Sequence, residues 1–97
     1  NNVEALRIYV FIIMARENDD ELVHSKMDEL IQAMRTVEGK NSDMFYNISR
    51  LFARYCGRKE LVLKKTQQML DYATTIQPDN AFYLTEVGFQ KSISGDF

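Results

Sequence analysis

Residues 73–96, ATTIQPDNAFYLTEVGFQKSISGD, decide how the rest of the chain is read. Leu84, Val87 and Gly88 fall at i, i+3 and i+4, the spacing of one helix face. Asp79 and Asn80 stand just ahead of that run, where short polar side chains accept hydrogen bonds from the first unpaired N–H groups of a helix. Pro78 closes the helix before it, because it lacks an N–H and disfavours helical conformation in the preceding residue. Ala73 sits near the end of that earlier helix, and Gly95 supplies a left-handed stop for the later one. The stretch reads as the end of one helix, a tight turn and a second helix.

Working upstream, the same pattern returns at a shift of 39 positions. Asn2, Asn41 and Asn80 superimpose, then Leu6, Phe45 and Leu84, then Tyr9, Ile48 and Val87, then Val10, Ser49 and Gly88, where the residue shrinks. Beyond the turn, Glu21-Leu22-Val23 falls on Glu60-Leu61-Val62, Lys26 on Lys65, Leu30-Ile31 on Met69-Leu70 and Val37 on Ile76. The first helices present Leu6, Tyr9, Val10 and Ile13, and Phe45, Ile48, Ser49 and Phe52, on one face each. The second helices present Val23, Met27, Leu30, Ile31 and Met34, and Val62, Thr66, Met69, Leu70 and Ala73. Gly39 and Gly57 serve as further stops. The spacing predicts five helices near 3–17, 20–38, 43–56, 59–76 and 80–93, and no strand. Residues 1–39 and 40–78 are two hairpin units, and 79–97 is the first helix of a third. Such hairpins bury their apolar faces only against neighbours, so the fold expected is an all-α solenoid. Ile48, Phe52, Met69, Leu70 and Ala73 are its expected core.

Composition excludes several function classes. Ninety-seven residues, 45% hydrophobic, with 4 Gly and 1 Pro, leave room for one small core and no turn-rich β architecture. One Cys allows no internal disulfide, and no Cys/His set suits structural zinc, so the chain reads as intracellular and without metal or cofactor. The longest apolar run, Ile8 to Met14, is far short of the roughly 18–20 residues that span a bilayer. The start, Asn1-Asn2-Val3-Glu4, lacks the Met and basic residues of a signal peptide and reads as a cut within a longer chain. With 12 basic and 14 acidic residues, bulk attraction to nucleic acid or membrane is not expected.

The order Ala73, Pro78, Leu84-x-x-Val87-Gly88, Gly95-Asp96 resembles the tetratricopeptide repeat, although its usual unit is about 34 residues. The five extra residues lie in the turn and a lengthened second helix. Asn2-Val3-Glu4-Ala5-Leu6, Phe45-Tyr46-Asn47-Ile48, Cys56-Gly57-Arg58, Leu61-x-Leu63-x-Lys65 and Thr85-Glu86-Val87-Gly88-Phe89-Gln90 together resemble one stretch of the tetratricopeptide repeat protein 21 family. That family supplies the large repeat subunit of the intraflagellar transport A complex. The resemblance implies a right-handed superhelix of tetratricopeptide-like hairpins with more repeats on both sides. It also implies a cytoplasmic scaffold at the ciliary base and along the axoneme, serving retrograde transport and cilium assembly, with other subunits of that complex as partners.

No catalytic constellation stands beside these patterns, so an enzyme is not expected. His24 reads as a half-exposed helix histidine, and Asp19-Asp20-Glu21 as turn and first-turn carboxylates favoured by the helix dipole. Asp28-Glu29 reads as a solvated face, Cys56 as a buried thiol near a turn, and the methionines as gap fillers. Charge is less evenly spread. Residues 1–43 carry 5 basic and 9 acidic groups, 44–70 carry 6 and 1, and 71–97 carry 1 and 4. Arg50, Arg54 and Arg58 recur every fourth residue and form one stripe. By resemblance, Tyr46, Arg50 and Arg54 match positions from which tetratricopeptide arrays hold peptides, and arginine forks suit an acidic or carboxylate-bearing segment. The alternative is a solvated stripe neutralised by acids of neighbouring repeats. A generic peptide-docking module for chaperones or complex assembly, and a helical-repeat RNA binder using the basic middle, are the rival functions. Because a third first-helix lacks its hairpin partner here, Leu84 and Val87 are expected to be poorly covered, and the isolated piece is expected either to self-associate through that end or to be marginally stable until extended.

Overall fold

The computed structural model of the chain describes residues 2–16, 20–36, 42–56 and 60–94. It contains α1 (Asn2–Arg16), α2 (Asp20–Thr36), α3 (Ser42–Cys56), α4 (Glu60–Ile76) and α5 (Ala81–Ser94), with no strand among the described residues. Each boundary lies within two residues of the one that the periodicity predicts. Gly39, Gly57, Arg58 and Gly95 lie outside the described residues, as does the side chain of Cys56. The chain divides into two compact units, Asn1–Lys40 and Asn41–Phe97.

In the first unit α1 pairs with α2. Asp20 and Glu21 begin α2 and Arg35 ends it, each charge opposing the partial charge of its end of the helix dipole. Val23, Met27, Leu30, Ile31 and Met34 are buried along one face of α2, and Val3, Val10 and Ile13 are buried on α1. Leu6 is half-buried. Tyr9, expected on that same face, is 40% exposed. At about 100° per residue it stands some 40° beyond Ile13, at the edge of the buried stripe. There its ring lies 5.6 Å from the Lys26 ammonium of α2, a cation–π contact.

The second unit is built from α3, α4 and α5. Side-chain partners show how they run. Ser42 accepts from Gln77, Phe45 stacks against Tyr72 with ring centroids 5.4 Å apart, and Ser49 donates to the Thr66 carbonyl. Numbers rise on α3 as they fall on α4, so these two helices form an antiparallel hairpin. Between α3 and α5 the numbers rise together, from Asp43–Tyr83 to Ser49–Gln90, so these are parallel neighbours. Phe52, Met69 and Ala73 have no exposed surface, and Ile48 and Leu70 are also buried, as the apolar spacing predicts. Burying a ring such as that of Phe52 is worth about 1.5–3 kcal/mol by area.

The turn between α4 and α5 follows the chemistry of its residues. Helix α4 ends at Ile76, Gln77 N–H still reaches the Ala73 carbonyl at 3.0 Å, and Pro78 prevents continuation. Asn80 Oδ1 then accepts from the N–H groups of Phe82 and Tyr83 at 2.9 and 3.2 Å, capping α5. Within α5 the expected anchors Leu84 and Gly88 face outward. Leu84 is 52% exposed, Val87 is half-buried, and a Cβ on Gly88 would meet nothing within 4 Å. Their counterparts in α3, Phe45, Ile48 and Ser49, are buried. The difference is that α4 covers the α3 hairpin face, whereas no described residue lies against Gly88.

Candidate functional site

The face shared by α3 and α5 gathers most of the residues singled out for partner binding. Tyr46 is half-buried, its ring 4.8 Å from that of Tyr83 on α5. Arg50 is exposed one turn further along α3. Arg54, a turn beyond, is 35% exposed and is not a spare cation. Its Nη1 donates to Glu86 Oε2 at 2.9 Å, and its guanidinium lies 4.2 Å above the centre of the Phe89 ring. Arg58 lies outside the described residues. Of the expected stripe, Arg50 is exposed and Arg54 is neutralised by a carboxylate from α5.

Glu86 is 2% exposed, and its carboxylate is held by more than Arg54. Gln90 Nε2 donates to it at 3.0 Å and also to Ser49 Oγ at 2.9 Å. Ser49 Oγ in turn donates to the Thr66 carbonyl at 2.6 Å, and Thr66 Oγ1 to the Leu63 carbonyl at 2.8 Å. Both neighbours of the Gln90 amide nitrogen are acceptors, which fixes the amide's orientation. This chain ties α5 to α3 and α3 to α4 through groups that are costly to leave unpaired away from water.

A second polar cluster lies at the start of α3. The Tyr83 hydroxyl donates to the Asp43 carboxylate, which leaves Ser42 Oγ, 3.0 Å away, to donate to the phenol oxygen. Gln77 Nε2 completes it by donating to Ser42 at 2.8 Å. Burial raises the Tyr83 phenol above its ordinary value of about 10, and the hydrogen bond to Asp43 raises it further against a smaller opposing effect of Ser42.

The sequence pattern alone does not point to Glu86, Gln90, Thr66, Phe82 or Phe89 as part of a site. A signal was present: Tyr83, Glu86 and Gln90 recur at i, i+3 and i+7, a second stripe on α5 beside Leu84 and Val87. A polar stripe of that period usually faces water, and only packing against α3 buries this one.

In the first unit, Leu6, Glu21, His24, Ser25, Asp28 and Glu29 line an open groove of about 750 Å3. His24 Nε2 is 3.7 Å from Asp28, and Lys26 pairs with Glu29 at 2.9 Å. Among the described residues no group of three or more His, Cys, Asp and Glu is arranged to hold a metal ion, and no helix is long and apolar enough to cross a membrane.

Comparison with known proteins bears on the whole of this architecture. Residues 25–97 match the model of the tetratricopeptide repeat protein 21 second ARM domain. The chain is 37% identical over 94 residues to tetratricopeptide repeat protein 21B of Homo sapiens, and 38% identical over 95 residues to that of Mus musculus. Tetratricopeptide repeat protein 21A of Mus musculus is 25% identical over 89 residues. These matches cover 97%, 98% and 92% of the chain but 7% of each relative's length. The shift of 39 positions lies between the roughly 34 residues of a tetratricopeptide unit and the 40–47 of armadillo-type units, in keeping with a domain that carries both descriptions. Hairpin architecture, repeat period and identity agree, and the chain belongs to the tetratricopeptide repeat protein 21 family.

Proposed function

We propose that this chain is part of a non-enzymatic protein–protein interaction scaffold, and that its parent is a subunit of the intraflagellar transport A complex acting in retrograde transport and cilium assembly. Family membership over nearly the whole chain is the observation that carries the reading. The geometry supports it: α3, α4 and α5 are pinned by buried polar chains into one register, which lets an outer face be displayed without rearrangement. The partners are other subunits of that complex, and the sites of action are the ciliary base and the axoneme.

Tagging the parent protein in ciliated cells tests this. Co-purification with the other subunits of the complex and signal along the axoneme are expected. Deleting residues 41–78 removes the α3–α4 hairpin on which α5 packs, so retrograde return should fail and cargo accumulate at the ciliary tip. A parent that never enters the complex, or normal return traffic with the deletion, overturns the proposal. A second reading, a docking site for an acidic peptide, is favoured by the exposed Arg50, one turn of α3 from both Tyr46 and Arg54.

A further inference from the structure

Helix α1 is apolar on two opposite sides. Val3, Val10 and Ile13 are buried in the hairpin with α2, yet Ile8 and Ile12 are 48% and 46% exposed. At about 100° per residue, positions 8 and 12 lie on the side of α1 opposite the buried one. A helix at a protein surface ordinarily carries polar residues there, and one that is apolar all round is covered all round. The order of residues on this outer side shows what fits it. Glu4, Ile8, Ile12 and Arg16 recur every fourth residue, and positions 5 and 15, both alanine, fall beside them. Counted outward from position 10, Ile8 mirrors Ile12, Ala5 mirrors Ala15, and Glu4 mirrors Arg16 with the opposite charge.

We propose that the outer face of α1 docks a second copy of this chain in antiparallel orientation, Ile8 of each copy against Ile12 of the other and Glu4 of each paired with Arg16 of the other. A two-fold axis level with position 10 generates all of these contacts at once, as a self-complementary interface requires. A parallel pair would instead set Glu4 beside Glu4 and Arg16 beside Arg16, so charge selects the antiparallel arrangement. The pair that Glu4 makes with Arg7 leaves the Glu4 side chain 58% exposed, open to a second cation. Alanine at both ends of the face lets the two backbones approach. A single helix pair is a small interface, so the dimer is weak and depends on concentration. The proposal goes beyond the scaffold reading and does not depend on it, and it places the contact on α1, away from the open end at Leu84 and Val87.

Sedimentation of the 97-residue chain at concentrations up to 500 μM tests this, and a monomer–dimer equilibrium is expected. Ile8→Ser combined with Ile12→Ser should raise the dissociation constant at least tenfold, and Leu84→Ser should leave it unchanged. Glu4→Arg alone and Arg16→Glu alone should each weaken the dimer several-fold, because each sets like charges against one another across the axis. Mixed in equal amounts, those two variants should pair at near wild-type affinity, since opposite charges then meet at both ends. Cross-linking reads the orientation. In a Cys56→Ser background, Ile8→Cys mixed with Ile12→Cys should form a disulfide far faster than either variant alone. Circular dichroism checks helicity, and if the double Ser variant loses it, the mixing of the charge variants decides. A chain that is monomeric at every concentration, a dimer that survives the double Ser variant with helicity intact, a dimer lost with Leu84→Ser instead, or no recovery on mixing the charge variants would each overturn the proposal. Those outcomes leave co-purification with the ciliary complex untouched, whereas loss of co-purification with the dimer intact removes the scaffold assignment and not the α1 contact.

Discussion

The two units of this chain hold their helices together by different means. In the α1–α2 hairpin every buried residue among those described is apolar: Val3, Val10, Ile13, Val23, Met27, Leu30, Ile31 and Met34. The ion pairs between its described residues, Arg7 with Glu4 and Lys26 with Glu29, and the contact of His24 with Asp28, join residues of one helix three or four apart. The α3–α4–α5 unit also buries Ser42, Ser49, Thr66, Glu86 and Gln90, and each of these residues takes part in a bond between helices or elements. Apolar burial rewards association over a range of registers, because dispersion and dehydration are weakly directional. Buried hydrogen bonds are directional, and sliding α5 by a turn would break the bonds of Glu86 to Arg54, of Gln90 to Ser49 and of Tyr83 to Ser42 and Asp43. The first unit is held closed by area, and the second is held in register by bonds.

The comparison breaks most visibly if the cores are cut. Phe52→Ala, in the second unit, should destabilise by about 3–5 kcal/mol, and Met27→Ala, in the first, by about 2–3 kcal/mol, because a flexible thioether leaves a gap its neighbours fill more readily. Urea unfolding followed by far-ultraviolet circular dichroism reads both. A loss below about 1 kcal/mol for Phe52→Ala would mean that the assigned register of α3 is wrong.

Glu86→Ala comes next. It removes the acceptor of both Arg54 and Gln90, and should cost about 1–3 kcal/mol, toward the lower end because Arg54 is one-third exposed and can be hydrated. Adding Arg54→Ala should cost less than the sum of the separate losses, since the two act on one bond. Strict additivity in that double-mutant cycle would show that the pair does not couple α3 to α5.

Tyr83→Phe should cost about 1 kcal/mol at pH 7, and its pH dependence sharpens the point. The phenol of the folded chain ionises above its ordinary value of about 10, so its contribution is complete below that pH. It is lost as pH rises from about 10 through the higher folded value. Denaturation midpoints should therefore fall in wild type above pH 10 and fall less in Tyr83→Phe. Parallel curves would mean that the hydroxyl does not report the lock. Smallest of all, Lys26→Ala in the first unit should leave the urea midpoint unchanged within error, as its ion pair is local and its contact with Tyr9 lies at the surface.

Much of the fold was legible before any coordinates, and Asn80 illustrates why. Capping, proline exclusion and the 3.6-residue period are local rules, and a few neighbouring residues suffice to apply them. The repeat extended that reading, since the well-marked turn at Gln77–Asn80 falls, at a shift of 39, on the weaker signal at residues 38–41. Arg54 shows where such reading stops. Its spacing with Arg50 marks it as part of a cationic stripe, but its charge is neutralised by Glu86, 32 positions away. Tyr9 and Leu84 fail for a related reason, because a position on an apolar face is buried only where another element arrives to cover it.

What the sequence determined by itself is therefore the set of helices, their order, their paired faces and the family. These follow from contacts within a turn or two of chain and from a pattern repeated along it. Only the tertiary structure decided that Glu86 and Gln90 are interior, that Arg54 is neutralised while Arg50 remains exposed, and that Arg54 lies over the Phe89 ring. Each of those facts depends on α5 packing parallel to α3, and the free energy of a charge or a ring is set by what surrounds it in space.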